Sequence, residues 1–136
     1  MGKRALGQLP VEETIEGTWL ASATRSATVD CPDMDTPGYR GVLVSLNVTA
    51  ASGTGGLRVQ FFWRDPASGV AQQLNNNNAP IAATGQNVHL FYPAACDAGV
   101  GIYVRWNTVL PRTWFARIQH GDGSNYTYSV GYALIR

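Results

Sequence analysis

Apolar and polar residues alternate along the last quarter of the chain. The alternation runs through residues 110–118, stops at the turn formers Gly121-Asp122-Gly123-Ser124, and resumes over residues 126–136. Because successive side chains of an extended strand point to opposite faces, this pattern predicts two strands joined by a tight turn.

The same two-residue period recurs upstream. Residues 39–49 place four apolar side chains on one face of a strand: Val42, Val44, Leu46 and Val48. Roughly eight or nine short strands are predicted, separated by Gly, Pro, Asn and Asp clusters, and no window has a helical apolar repeat. The fold class predicted is therefore all-β: a single-domain antiparallel β-sandwich or jelly-roll-like barrel with an extended N-terminal arm. The further segments read as strands are residues 18–25, 57–64, 70–74, 81–84, 87–92 and 101–106.

The connections contain two other distinctive stretches. Residues 31–38 are dense in Pro, Asp and Gly and predict a turn, and the asparagine tract 75–78 predicts an exposed loop. A length of 136 residues argues for one domain. Residues 1–16 show no periodicity, so we divide the chain into an arm, 1–16, and a β-sandwich domain, 17–136.

Composition excludes several classes of partner. Only 14% of the residues are charged, against a typical ~25%, and the net charge is +1. We therefore expect no binding to nucleic acid. No apolar run approaches the ~18 residues of a membrane span, and the first residues are too polar for a secretory signal. These features predict no membrane partner and synthesis in a cytoplasm.

The cysteines and histidines do not form a recognisable metal motif. Cys31 and Cys96 are the two cysteines, His89 and His120 the two histidines, and no CxxC or HxxxH spacing occurs. We expect no metal and no cofactor. Whether the cysteines are free thiols, as a reducing cytoplasm favours, or form a disulfide stays open.

No catalytic motif stands out either. A G-x-S-x-G elbow is absent. Ser68, His120 and Asp122 provide the residue types of a Ser/His/Asp set, but any chain with two histidines allows such a choice. Asp33 and Asp35 lie in a proline-rich stretch, where aspartates commonly bond the backbone; a calcium site is the alternative. The sequence therefore predicts that the chain is not an enzyme.

The aromatic residues raise the possibility of a carbohydrate-binding module. Trp63, Trp106 and Trp114 fall on the apolar faces of their strands, which favours core packing, whereas Trp19 stays open between core and surface. The same-face stripe near the C-terminus also favours core or subunit contact. Its members are Tyr126, Tyr128 and Tyr132.

Arginines flank the closing tryptophan strands. Arg105, Arg112 and Arg117 could pair with acidic groups of a neighbouring subunit, or could belong to solvated strand faces. Both interpretations remain open at this point.

Several segments carry a family resemblance: residues 20–28 (LASATRSAT), 41–50 (GVLVSLNVTA), 64–69 (RDPASG), 110–114 (LPRTW) and 128–131 (YSVG). Together they resemble a family of small structural proteins encoded by tailed bacteriophages, over residues 18–136. The LPRTW element is the most specific, and Arg64 stands where the family has lysine.

The resemblance implies a virion component, most plausibly a capsid decoration protein on the outside of the head. It implies no catalytic residues. The partners expected are the major capsid protein and further copies of the chain, as a homotrimer. The alternative is a tail- or baseplate-associated or carbohydrate-binding β-sandwich. The residues expected at protein interfaces are Leu6, Leu9, Val11, Trp19, Arg112 and Arg117.

Overall fold

The computed structural model describes residues 15–75, 79–93, 103–106 and 108–136. Across these residues the chain contains strands and no helix, and therefore no helix that could span a membrane. The strands are β1 (Glu16–Arg25), β2 (Val29–Asp30), β3 (Met34–Asp35), β4 (Gly41–Ala51), β5 (Leu57–Arg64), β6 (Ala71–Gln73), β7 (Gly85–Phe91), β8 (Tyr103–Trp106), β9 (Thr113–His120) and β10 (Tyr126–Ile135).

The strands form two sheets packed face to face. The first sheet has the order β1-β10-β4-β7-β8, and the second has the order β2-β9-β5-β6, with β3 also paired to β9. The all-β prediction is confirmed, and of its two forms the described strands adopt the sandwich rather than a closed barrel. The two closing strands belong to different sheets, so the turn at residues 121–125 crosses from one sheet to the other.

The core lies between the sheets and uses the predicted alternate positions. Val42, Val44, Leu46 and Val48 of β4 have 2% exposure or less. An aromatic cluster fills the middle: the Phe61 ring lies 4.9 Å from Phe91, 5.5 Å from Trp106 and 6.2 Å from Trp114 between centroids. The stripe predicted near the C-terminus is also internal, with Tyr126 and Tyr128 fully buried and Tyr132 packed against the core.

The Trp63 prediction is wrong in degree, because this side chain is only half-buried and lies outside the central cluster. The β5–β9 ladder ends at the pair Phe62–Phe115, and Trp63 pairs instead with Gln72 of the short strand β6. Trp63 therefore lies in the part of β5 that pairs with β6 and no longer with β9.

Residues 31–38, predicted as a turn, contain pairing that the sequence pattern could not reveal. Asp30 pairs with Arg117 through β2, and Met34 pairs with Trp114 through β3. Between them the Cys31 N–H donates to the Ala116 carbonyl at 2.8 Å. Two-residue strands are too short to show alternation. We call residues 29–36 the strap, because they follow the edge of β9.

Two other connections differ from expectation. Asn75, predicted on an exposed loop, is buried: its Oδ1 accepts from the Phe61 N–H at 2.8 Å and its Nδ2 donates to the Val59 carbonyl at 3.2 Å. Residues 76–78 lie outside the described part. Residues 81–84 form a single bridge, Ile81 to Leu57, rather than a strand.

The pair β7–β8 is parallel, whereas the sequence pattern predicted an antiparallel sandwich. A parallel pair needs a crossover rather than a hairpin, and side-chain alternation does not record strand direction. The turn predicted at residues 93–99, with Cys96, falls almost wholly outside the described residues.

The N-terminal edge of the sandwich begins at β1. The Leu134 N–H donates to the Ile15 carbonyl at 2.8 Å, so the described chain enters the first sheet one residue before β1. Residues 1–14, which include Leu6, Leu9 and Val11, lie outside the described residues.

Candidate interaction surfaces

Three arginines, two in strands of the second sheet and one just before β9, each pair with an aspartate of the strap. The shortest distances are 2.6 Å for Arg117–Asp30, 3.2 Å for Arg64–Asp33 and 2.8 Å for Arg112–Asp35. The bond from Arg112 lowers the pKa of the Asp35 carboxyl below its usual range. These largely exposed ion pairs orient the aspartates of the strap, and each adds little to stability.

Two phenylalanines lie beneath this charged layer. The rings of Phe62 and Phe115 stack with centroids 5.2 Å apart and planes 9° apart. The Arg117 guanidinium covers Phe62 at 4.5 Å and that of Arg64 covers Phe115 at 4.7 Å, measured to the ring centroids. Because the guanidinium groups lie on the rings, both phenylalanines are buried although they point away from the core.

The arginine positions bear on the interface expected from the sequence. Arg112 and Arg117 both pair with aspartates of their own chain, so an acidic partner on another subunit is not needed to balance them. Their side chains nevertheless stay accessible, with 69% exposure for Arg112 and 33% for Arg117. Both arginines are thus accessible and already paired within the chain.

Trp19, the fourth tryptophan, lies inside the sandwich with 8% exposure. Its ring meets Trp114 edge-on at 4.9 Å and Tyr132 at 5.1 Å between centroids. Within the described residues its indole N–H meets no hydrogen-bond partner. Most of the surface of the Trp19 ring is buried in the core, so little of it is accessible to a sugar or to a protein partner.

A groove opens on the outer face of the first sheet. In one row across the sheet, Ala133 pairs with Leu43; in the next row, Gly131 pairs with Ser45, which in turn pairs with Val88. The groove has a volume of ≈ 270 Å³ and a mainly apolar lining. The full lining is Glu16, Gly17, Leu43, Ser45, Val88, Gly131, Tyr132 and Ala133.

A polar cluster closes one end of the first sheet. Arg25 donates to the Ala21 carbonyl at 2.7 Å and the Tyr128 carbonyl at 2.8 Å, and its guanidinium stacks 4.7 Å from the Tyr128 ring. The Tyr128 hydroxyl bonds His120 Nε2 at 2.9 Å. Burial raises the pKa of Tyr128 to about 12. Arg25 thus engages the Ala21 carbonyl of the edge strand β1.

The three residues considered above as a Ser/His/Asp set each bond to a different partner and not to one another. The Ser68 hydroxyl donates to Asp65 at 2.8 Å inside its own turn, His120 bonds Tyr128, and Asp122 accepts from the Gly55 N–H at 2.7 Å. Asp33 and Asp35, weighed as calcium ligands, bond arginines. Among the described residues no three His, Cys, Asp or Glu side chains form a group able to hold a metal.

Two titratable side chains, Cys31 and His89, are buried in the described part of the core. Burial raises the pKa of the Cys31 thiol to about 12, so it is held protonated, and its possible disulfide partner Cys96 lies outside the described part. Burial lowers the pKa of His89 from 6.5 to about 4. The His89 ring stacks on Trp106 with centroids 5.6 Å apart and planes 11° apart, and its Nδ1 meets no acceptor or donor among the described residues. His89 is therefore a neutral core residue.

Sequence reasoning missed the groove and the arginine-covered phenylalanines. Two signals were present: Gly131 lies in the interior of the long strand β10, and Leu43 is apolar at an outward position of β4. Phe62 stood among Arg58, Gln60 and Arg64 on the outward side of β5, the side on which the structure places it.

Comparison with known proteins adds little. No protein-family model and no curated protein match the sequence. One solved chain, in a structure of infectious bursal disease virus, Gx strain, resembles the fold with a TM-score of 0.40 and 15% identity; the match covers 97% of this chain and 36% of that one. A likeness at this level does not extend to function.

Proposed function

We propose that this chain is a head decoration protein of a tailed bacteriophage. It binds the outer capsid surface as a homotrimer and stabilises the head, and its arm, 1–16, contacts neighbouring subunits. The proposal also gives it no enzymatic activity and a location on the virion after synthesis in the host cytoplasm.

The observation that carries the proposal is the internal position of Trp19. A sugar-binding module needs an exposed aromatic face, but Trp19 and Trp114 pack on each other in the core. The outward phenylalanines are covered by arginines rather than left open as a platform. This arrangement favours a structural protein over a carbohydrate-binding module.

The charged layer supports the same conclusion. Asp33 and Asp35, the aspartates weighed for a calcium site, are bonded to arginines. Side chains that are already held in ion pairs have less freedom to lose when they meet a protein surface. Arg112, the most exposed of the three arginines, is available for such a contact.

The mechanism proposed is cementing. A copy that touches more than one capsid subunit must be detached before those subunits can separate, and many weak contacts add up over a shell. No covalent step is involved.

The test is binding to heads that lack the protein. Purified full-length chain is mixed with heads from a phage deleted for its gene, sedimented, and the bound copies are counted against the major capsid protein. We expect saturation at a fixed ratio to that protein and greater resistance of the heads to heat.

A variant lacking residues 1–14 is the matched control, because it leaves β1 intact from Glu16. We expect it to fold, by circular dichroism, but to bind heads more weakly. Binding of only a few copies per particle, or binding to tails, contradicts the proposal and favours the tail or baseplate alternative.

A further inference from the structure

We propose that the groove on the outer face of the first sheet receives the apolar residues 5–11 of a neighbouring copy. This inference rests on the proposed function, in which the arm contacts neighbouring subunits, and it names the surface that the arm meets.

The size and the apolar lining of the groove suit a few apolar side chains. Its volume of ≈ 270 Å³ falls just below the ~300–1,000 Å³ of ligand pockets. Leu43, Val88 and Ala133 give it an apolar lining, and the exposed Glu16 lies at its edge. The neighbouring outward residue, Leu90, pairs with Leu43 and extends the apolar strip.

Gly131 indicates that something lies over the groove. A glycine inside a strand lowers stability and often marks the close approach of another backbone. Within this copy a Cβ at position 131 would come no nearer than 3.6 Å, to the Gly17 carbonyl, which is ordinary contact. The described part of the chain therefore supplies no steric reason for glycine there, and a segment seated on the sheet would supply one.

The occupant is argued from where the chain enters the sheet. Ile15 is bonded to Leu134 at the edge of the sheet, so 14 residues precede the described chain beside the groove. That segment contains apolar side chains at Leu6, Leu9 and Val11, which can fill an apolar groove.

A neighbour's groove suits this segment better than the groove of its own copy. A return over its own sheet needs a reversal within residues 11–15, and this stretch contains no Gly, Pro, Asn or Asp. Extended, residues 5–14 span up to ~33–36 Å. That reach is comparable with the width of a 100-residue domain, whose radius of gyration is ~13 Å. Each copy of a ring can thus give one arm and receive another, as a cyclic trimer allows.

The direct test is photo-crosslinking in the full-length protein. A photoreactive residue replaces Leu9, and isotopically heavy and light copies are mixed before irradiation. We expect adducts that join heavy to light chains and map to peptides containing Leu43, Val88 or Gly131. Adducts confined to single copies, adducts elsewhere, or none at all overturn the proposal.

Variants give an independent readout by sedimentation velocity. Gly131→Leu fills the groove and Leu9→Asp removes an apolar side chain from the arm; both are expected to convert trimer to monomer. Ser129→Leu adds the same side chain to the same face of β10 but outside the groove lining, and is expected to remain trimeric. Retention of the trimer by Leu9→Asp and by a folded Gly131→Leu contradicts the proposal. If Gly131→Leu fails to fold, Leu9→Asp decides alone.

Failure of this inference is distinguishable from failure of the proposed function. Groove adducts without head binding leave the groove standing and remove the decoration role. Head binding with adducts at another surface removes the groove alone.

Discussion

Protonation of His89 should weaken the fold between neutral and mildly acidic pH. Its ring has 3% exposure and stacks on Trp106, so the structure holds it neutral. Burial lowers its pKa from 6.5 to about 4. Between these values the unfolded chain binds a proton that the folded chain does not, so stability is full above pH 6.5 and falls as the pH drops toward 4.

The magnitude follows from the two pKa values. At ~1.4 kcal/mol per pH unit, the interval from 6.5 to about 4 corresponds to a maximum loss of about 3 kcal/mol. Between pH ~7 and ~5 the same linkage gives a loss of about 2 kcal/mol. Asp35, Asp65 and Asp122 have pKa values lowered from 3.8 by their hydrogen bonds, so they titrate below this window.

The assay is urea unfolding at pH ~7, ~6 and ~5, followed by tryptophan fluorescence. The variant His89→Leu should lose most of the pH dependence, whatever its stability at neutral pH. His120→Gln is the control, because His120 is only half-buried, although burial also lowers its pKa. If wild type and His89→Leu lose the same free energy between pH ~7 and ~5, the buried neutral His89 is not the cause and the reasoning is refuted.

Three further predictions concern side chains that the structure gives specific duties. Asn75→Leu should lower the free energy of unfolding in urea melts by ~2–4 kcal/mol, because the buried Phe61 N–H and Val59 carbonyl would lose their hydrogen-bond partner. Asn87→Leu is the control and should cost much less, because the Asn87 amide makes a long 3.4 Å bond. Equal losses for the two variants would contradict the role of Asn75. Arg117→Ala should lower the free energy of unfolding by ~1 kcal/mol, because it uncovers the Phe62 ring. Arg112→Ala should change the melt little, because the Arg112 side chain covers no ring in the described structure. The reverse order would contradict the stacking argument. Cys31 should resist thiol reagents in the folded protein at pH ~8 and react in urea, because burial shields the thiol and raises its pKa. Peptide mapping identifies the labelled cysteine. Rapid labelling of Cys31 without denaturant would contradict its burial.

The sequence predicted the sandwich well where strands are long and half-buried. Val42, Val44 and Leu46 share one face of β4 because that face is core, whereas the other face carries Ser45 and Asn47 and only one large apolar side chain, Leu43. β5 was located with its observed ends, Leu57–Arg64. Alternation fails where pairing is brief, as at Met34–Asp35, and it carries no information on direction, as for β8.

The candidate surfaces were less predictable, since they depend on residues distant in sequence. Asp33 and Arg64 are brought together by sheet order, which periodicity does not specify. Asn75 looked like a loop residue, yet its amide replaces backbone pairing beside β5. Gly131 gave a local signal, but only the outward rows of the first sheet show that it lies in a groove.

The central claim, decoration of a phage head, is tested most directly by imaging. Heads lacking the protein are compared by electron cryomicroscopy with the same heads after saturation with the full-length chain. The account predicts added density on the outer capsid surface, repeated at equivalent symmetry positions and in three-fold clusters. Density confined to the tail, density inside the shell, or no added density would contradict it.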